Sequence, residues 1–230
     1  MNKDIALGII DAQRGFMPAG EGERLGQQGF GELTVPDGEK IIAPLNKLLL
    51  SGSFDLVFTT QDWHPKETAH FNENPNYMTT WPTHCVAHTD GAKLHQDIKL
   101  PEMTHKFKKG QEILHDGKDD TSYSGFNAFR INEYYLGMGE LSSQKKETLP
   151  QFLNKNNVKT LVLGGLALDY CVKATAIDFK RKSAIDVVVV TDATKPVAQE
   201  TGEQALVDLR AAGVRLMNTN ELIVELGGPQ

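Results

Sequence analysis

Three apolar runs rich in β-branched residues punctuate the chain: Ile5–Ile10, Leu161–Leu163 with the glycines beside it, and Ile185–Val190. Within them apolar residues follow one another without polar alternation, the pattern of strands buried on both faces. Phe54–Thr60 is a fourth segment of this kind and Val214–Met217 a short further one. Between these runs the period changes to that of a helix. Asp37–Leu50 sets Ile41, Ile42, Leu45, Leu48 and Leu49 on one stripe, with Asp37 in the N-cap position. Pro44 fits this helix only if the helix starts later than Asp37. Thr148–Asn156, Cys171–Lys182 and Gln199–Ala212 supply further helices, the last closed by Gly213 as a C-cap. Strands alternating with helices predict an α/β fold, a mostly parallel sheet covered on both faces.

Two stretches do not fit the alternation. Gln61 to about Met103 is rich in His, Pro, Asn and Thr, and Asp116–Gly139 is a second irregular segment. Connections of such length in compact domains tend to be functional. With no internal repeat, linker or low-complexity tract, residues 1–230 read as a single domain elaborated by loops at about 17–36, 61–103 and 116–146.

Composition narrows the function classes. A chain of 230 residues with 40 % hydrophobic and 23 % charged positions has the make-up of an ordinary globular protein. Its formal net charge of -6 argues against nucleic acid as a partner, which requires a concentrated cationic surface. The basic cluster Lys180–Lys182 lies on a helical stretch and reads as a solvated face. The apolar run in MNKDIALGIID is too short for a secretory signal, and no run approaches the roughly 18 apolar residues of a membrane span. A cytoplasmic protein without a membrane partner is expected. The two cysteines, Cys85 and Cys171, cannot make a disulfide framework, which leaves a thiol available for chemistry.

Four constellations carry that chemistry. The first is Asp62, His64, His70 and His84 inside the long loop. Three imidazoles and a carboxylate suit a borderline divalent ion such as Zn, Fe or Mn. Asp62 and His64, two apart at a strand end, project to one side and could share an ion. The alternative is a loop that is merely histidine-rich, with His88, His95 and Cys85 as spare donors. The second is Cys171, at a tight turn where a helix begins after a glycine-flanked strand. There the helix dipole and unpaired N–H groups favour a thiolate and can hold an oxyanion. A lone cysteine is more commonly a packed structural residue, so the position matters more than the residue type. The third is Asp11 at the end of the first buried strand, where ligands of parallel sheets bind. The fourth is Lys109 in THKFKKG: as a strand this puts His105, Phe107 and Lys109 on one face and Lys106 and Lys108 on the other.

Taken together, IIDAQRGFMP, TQDWHP with the later His, WPTHCV, KKG with SYSGF, and GLALDYCVKATAID resemble the isochorismatase-like cysteine hydrolases in their order along the chain. Within that superfamily the DxH…H…H set with WPxHC resembles the nicotinamidases, also called pyrazinamidases. The resemblance implies a three-layer αβα domain and the hydrolysis of nicotinamide to nicotinate and ammonia through a cysteine thioester. It implies Asp11, Lys109 and Cys171 as the catalytic triad, and the amides of Ala167 and Cys171 as the oxyanion hole. It implies one divalent metal ion on Asp62, His64, His70 and His84, and pocket walls at Phe16, Trp81, Leu166 and Tyr170. A non-proline cis peptide is expected at Leu166–Ala167. The implied partner is a small molecule, nicotinamide and in some members pyrazinamide, with homo-oligomer formation left open. Leu168 stands where Thr is frequent in the motif, and Gly20–Leu33 and Gly137–Lys146 are longer than a minimal member needs. Three rivals share parts of the pattern: a metal-independent amidase or carbamoyl hydrolase, a hydrolase whose nucleophile is a metal-activated water, and a non-catalytic binding module.

Overall fold

The computed structural model describes residues 4–19, 29–111, 123–131 and 146–228. The expected elaborations at Gly20–Leu33, Asp116–Gly139 and Gly137–Lys146 fall largely outside the described residues. Strands β1 (Ile5–Ile10), β2 (Leu56–Asp62), β3 (His105–Lys109), β4 (Phe129–Ile131), β5 (Lys146–Thr148), β6 (Thr160–Leu166), β7 (Asp186–Lys195) and β8 (Arg215–Met217) form one sheet. Its order is β5-β4-β3-β2-β1-β6-β7-β8. The six strands from β3 to β8 across the centre run parallel, and β4 and β5 add antiparallel pairings at one edge.

Side chains alternate across the parallel strands and feed two cores. Ala6, Ile10, Leu161, Leu163, Val187 and Val189 pack on one face against α2 (Leu149–Lys155), α3 (Lys173–Lys182) and α4 (Gln199–Ala211). Leu7, Ile9, Val162, Val188 and Val190 pack on the other against α1 (Ile42–Leu50) and α5 (Thr219–Glu225). The sheet is therefore the middle of three layers, which explains the unbroken apolar runs in the sequence.

Some boundaries differ from the sequence reading. Asp37 stands at the N-cap position of a 3₁₀ turn and not of α1: it has φ 57°, its side chain makes no capping hydrogen bond, and it pairs with Lys40 at 2.9 Å. A 3₁₀ turn over Gly38–Ile41 intervenes and α1 begins at Ile42, which leaves Pro44 in the first turn, where its missing N–H costs nothing. The expected strand Phe54–Thr60 is shifted to Leu56–Asp62, carrying Asp62 onto the strand itself. The helix expected to open at Cys171 is preceded by a wide π-type turn over Leu168–Val172. β4, β5 and α5 were not foreseen. For α5 a signal existed, because Asn218 and Glu221 form a reciprocal capping box.

Candidate active site and metal centre

Parallel pairing brings the carboxyl ends of β1, β2, β3 and β6 to one edge, the usual site of ligands in such sheets. In the β2–β3 ladder Asp62 lies directly across from Lys109, and the two side chains form an ion pair. Asp11, just beyond β1, donates its backbone N–H to Thr60 O at 3.2 Å. Its φ of 42°, uncommon outside glycine, turns the chain at the strand end. Lys109 Nζ is 3.0 Å from Asp11 Oδ2 and 3.5 Å from Cys171 Sγ. The Thr60 hydroxyl donates to Asp11 Oδ1 at 2.6 Å. All of these groups are buried, and the sulfur and the two carboxylates lie within 4.8 Å of one another.

Burial opposes charge at every member of this cluster, and neighbours decide which charges survive. Asp62 is held far below the usual carboxylate range, because Lys109 and the ring of His64 outweigh its desolvation. Lys109 is desolvated too, yet Asp11 and Asp62 hold its proton well above the ordinary lysine range. Burial pushes Asp11 up, with Lys109 pulling the other way. Burial likewise pushes the Cys171 thiol well up, again opposed by Lys109. At neutral pH the cluster thus holds an ammonium, a firm carboxylate, a carboxyl that readily takes a proton, and a thiol.

Cys171 is reached from β6 through the Leu166–Ala167 peptide, which is cis. The first wide-turn bond beyond it runs from Val172 N–H to Ala167 O at 3.1 Å. The Cys171 amide lies in that wide turn, one residue before the bond.

Beside this cluster the ring nitrogens of His64, His70 and His84 approach one another within 4.8 Å, all three residues being buried. His84 Nδ1 donates to Pro82 O at 2.7 Å, leaving Nε2 free to act as a ligand. Both nitrogens of His64 and Nδ1 of His70 are buried with no hydrogen-bond partner among the described residues. Burial is the main force that lowers His70 to about 3 and His84 to about 4, so both rings are neutral, the form that binds metal. Three converging imidazoles, with buried unpartnered nitrogens on His64 and His70, fit a divalent cation. Asp62 stands between the two groups: its Oδ1 faces Lys109 and is 3.8 Å from His64 Nε2. His88 and His95 are not among the ring nitrogens that converge there, and buried Cys85 bonds Gly91 O at 3.5 Å.

Gly110, with φ 68°, backs directly onto His64, and a Cβ there would lie 2.6 Å from the ring. Gly110→Ala is therefore expected to displace His64. Metal affinity measured by chelator competition should fall at least tenfold, in the range seen when a ligand's supports are lost. An unchanged affinity would mean that His64 is not a ligand.

A small cavity of about 50 Å³ opens onto both clusters. Asp62, His70, His84, Ala167 and Cys171 line its base. Phe16, Trp81 and Tyr170 form walls, as does Tyr123, whose hydroxyl accepts a hydrogen bond from Trp81 Nε1 at 3.0 Å. Leu166, expected as a wall, does not border the cavity. Alternation along β6 sends its side chain into the core on the α1 side, and the next residue, Ala167, takes the wall position. The sequence reading also missed Gln13, Thr60, Tyr123, Val35 and Val197. Gln13 clamps the peptide of Asp62, donating to its carbonyl at 2.9 Å and accepting from its N–H at 2.8 Å. Its place two residues after Asp11 in IIDAQRGF, and that of Tyr123 in SYSGF, were the available signals.

Fold and site together define a three-layer α/β protein with a buried thiol, carboxylate and ammonium at the sheet edge beside a histidine cluster. The chain belongs to the isochorismatase family: the isochorismatase domain model matches residues 6–221. Within that family it is 30 % identical to the nicotinamidase/pyrazinamidase of Mycobacterium tuberculosis, over 92 % of this chain and 97 % of the relative. A nicotinamidase/pyrazinamidase structure from Acinetobacter baumanii superposes with a TM-score of 0.74 at 27 % identity, over 96 % of this chain and 99 % of that one. The pyrazinamidase of Pyrococcus horikoshii, in complex with zinc, superposes with a TM-score of 0.70 at 31 % identity, over 94 % and 99 %.

Proposed function

We propose that this protein is a nicotinamidase, a cytoplasmic single-domain amidohydrolase that converts nicotinamide to nicotinate and ammonia. The observation that carries the reading is the contact of Lys109 Nζ with Asp11 at 3.0 Å and with the Cys171 sulfur at 3.5 Å, at the base of a cavity with aromatic walls. Asp11 takes the thiol proton of Cys171. This transfer moves a proton within the buried cluster and leaves its net charge unchanged, so no new charge is buried. Lys109 faces both the acid and the sulfur, and stabilises the thiolate as it forms. The thiolate attacks the carboxamide carbon, and the amides of Ala167 and Cys171 receive the developing oxyanion. Asp11 returns the proton to the departing ammonia. Water then cleaves the thioester with Asp11 as base, releasing nicotinate and restoring the thiol.

Asp62, His64, His70 and His84 would hold one divalent ion, and Zn, Fe or Mn suits that donor set. When bound, the ion supplies a Lewis-acid point that can orient a ring nitrogen of the substrate. Phe16, Trp81, Tyr123 and Tyr170 confine a flat ring next to it. The family relatives named nicotinamidase and pyrazinamidase support this substrate class.

The test is ammonia release from nicotinamide, before and after chelation and before and after thiol alkylation. Both treatments are expected to remove activity, and the metal should restore the chelated enzyme. Activity that survives alkylation points to a metal-activated water as nucleophile. Activity on N-carbamoyl compounds but not on nicotinamide points to a carbamoyl hydrolase.

A further inference from the structure

Strand alternation gives β2 and β3 a second face. Asp62 and Lys109 turn toward the catalytic cluster, while Gln61, Trp63, Lys106 and Lys108 border a groove of about 460 Å³ on the other side. The segment Lys93–Leu100 forms the opposite wall. No Asp or Glu among the described residues lines this groove, although the chain has 30 acidic residues against 24 basic ones. Lys93 is paired with Asp90 at 2.5 Å. Lys106 and Lys108 have no carboxylate partner among the described residues, whereas the α3 lysines Lys173, Lys180 and Lys182 each pair with an aspartate. Lys108 Nζ lies 3.4 Å from the centre of the Trp63 ring, its one charge-compensating contact among the described residues. Burial, and then repulsion from Lys106, lower its hold on the proton.

Two uncompensated ammonium groups facing one cavity raise each other's energy, and an anion between them relieves it. As alternate residues on one strand, their backbones are roughly 6.6 Å apart, which suits one ligand touching both. The geometry points to this groove as a binding site for a small oxyanion with two negative charges, a phosphate or a dicarboxylate, held by Lys106 and Lys108 over Trp63. The groove shares no lining residue with the substrate cavity. Its occupancy is therefore separable from the catalytic reading.

The test is calorimetric titration of the metal-loaded protein with inorganic phosphate and with succinate, at pH 8 and constant ionic strength. The parent should bind one equivalent of at least one anion saturably. Lys106→Gln combined with Lys108→Gln keeps the aliphatic stems in part and removes both charges. It should weaken binding at least tenfold while leaving the melting temperature near that of the parent. Lys106→Gln alone, at an exposed position, should weaken it about threefold and serves if the double variant folds poorly. Tighter binding of phosphate assigns a phosphate-bearing ligand, and tighter binding of succinate a dicarboxylate. No saturable binding of either anion, or binding that the substitutions leave unchanged, overturns the proposal.

Discussion

Cys171→Ala is expected to lower ammonia release from nicotinamide by about 10⁴-fold or more, the scale on which enzymes lose rate when a covalent nucleophile is removed. The change should leave the fold and metal content intact. The Cys171 sulfur accepts from Lys109 but does not hold its neighbours in place: Asp11 keeps Thr60 and Lys109, and the three imidazoles lie on a different loop. A matching kcat/KM measurement and metal analysis check both halves of the expectation. Retention of more than about a hundredth of the parent rate would remove Cys171 from the nucleophile role.

Lys109→Met should be the more damaging change to the protein as a whole. Lys109 is 1 % exposed and is the ammonium that separates two buried carboxylates, Asp11 and Asp62. Methionine fills much of the space but leaves those acids facing each other uncompensated, a loss of about 3–5 kcal/mol when one partner of a buried ionic group is removed. Activity should disappear with it. The pH dependence gives a distinct signature. Without Lys109 the folded-state pKa values of Asp11 and Asp62 rise above the unfolded value of about 3.9. The folded form then binds more protons than the unfolded form, so stability is lost as pH rises through that window and regained as it falls. Urea midpoints of the variant should therefore recover between pH 7 and pH 5 relative to the parent. A parallel pair of profiles would show that the two acids are not charge-coupled through Lys109.

Much of this site was legible before any coordinates. Asp11 and Cys171 were marked by position alone, one at a strand end and one at the turn after a strand, and Lys109 by its parity with Phe107. Parity works because a strand's two-residue period fixes the side on which each side chain emerges. It also explains the misreading of Leu166, whose parity sends it inward while the motif resemblance placed it at the pocket. Thr60 was not legible as a site residue, and for Gln13 the local motif offered its position but not its role. Their roles are hydrogen bonds across 49 positions, to Asp11 and Asp62 respectively, and nothing in local pattern encodes which strands become neighbours.

The order of strands and helices, the layered α/β class and the residue types able to act as nucleophile, acid and ligand are fixed locally by hydrophobic period, turn residues and side-chain chemistry. The sheet order with β1 between β2 and β6, the ladder pairing of Asp62 with Lys109, and the position of Asp62 between Lys109 and the histidine cluster are tertiary facts. They depend on long-range strand pairing and on the desolvation that follows it. That burial turns a lysine, two aspartates and a thiol from ordinary titrating groups into one coupled unit.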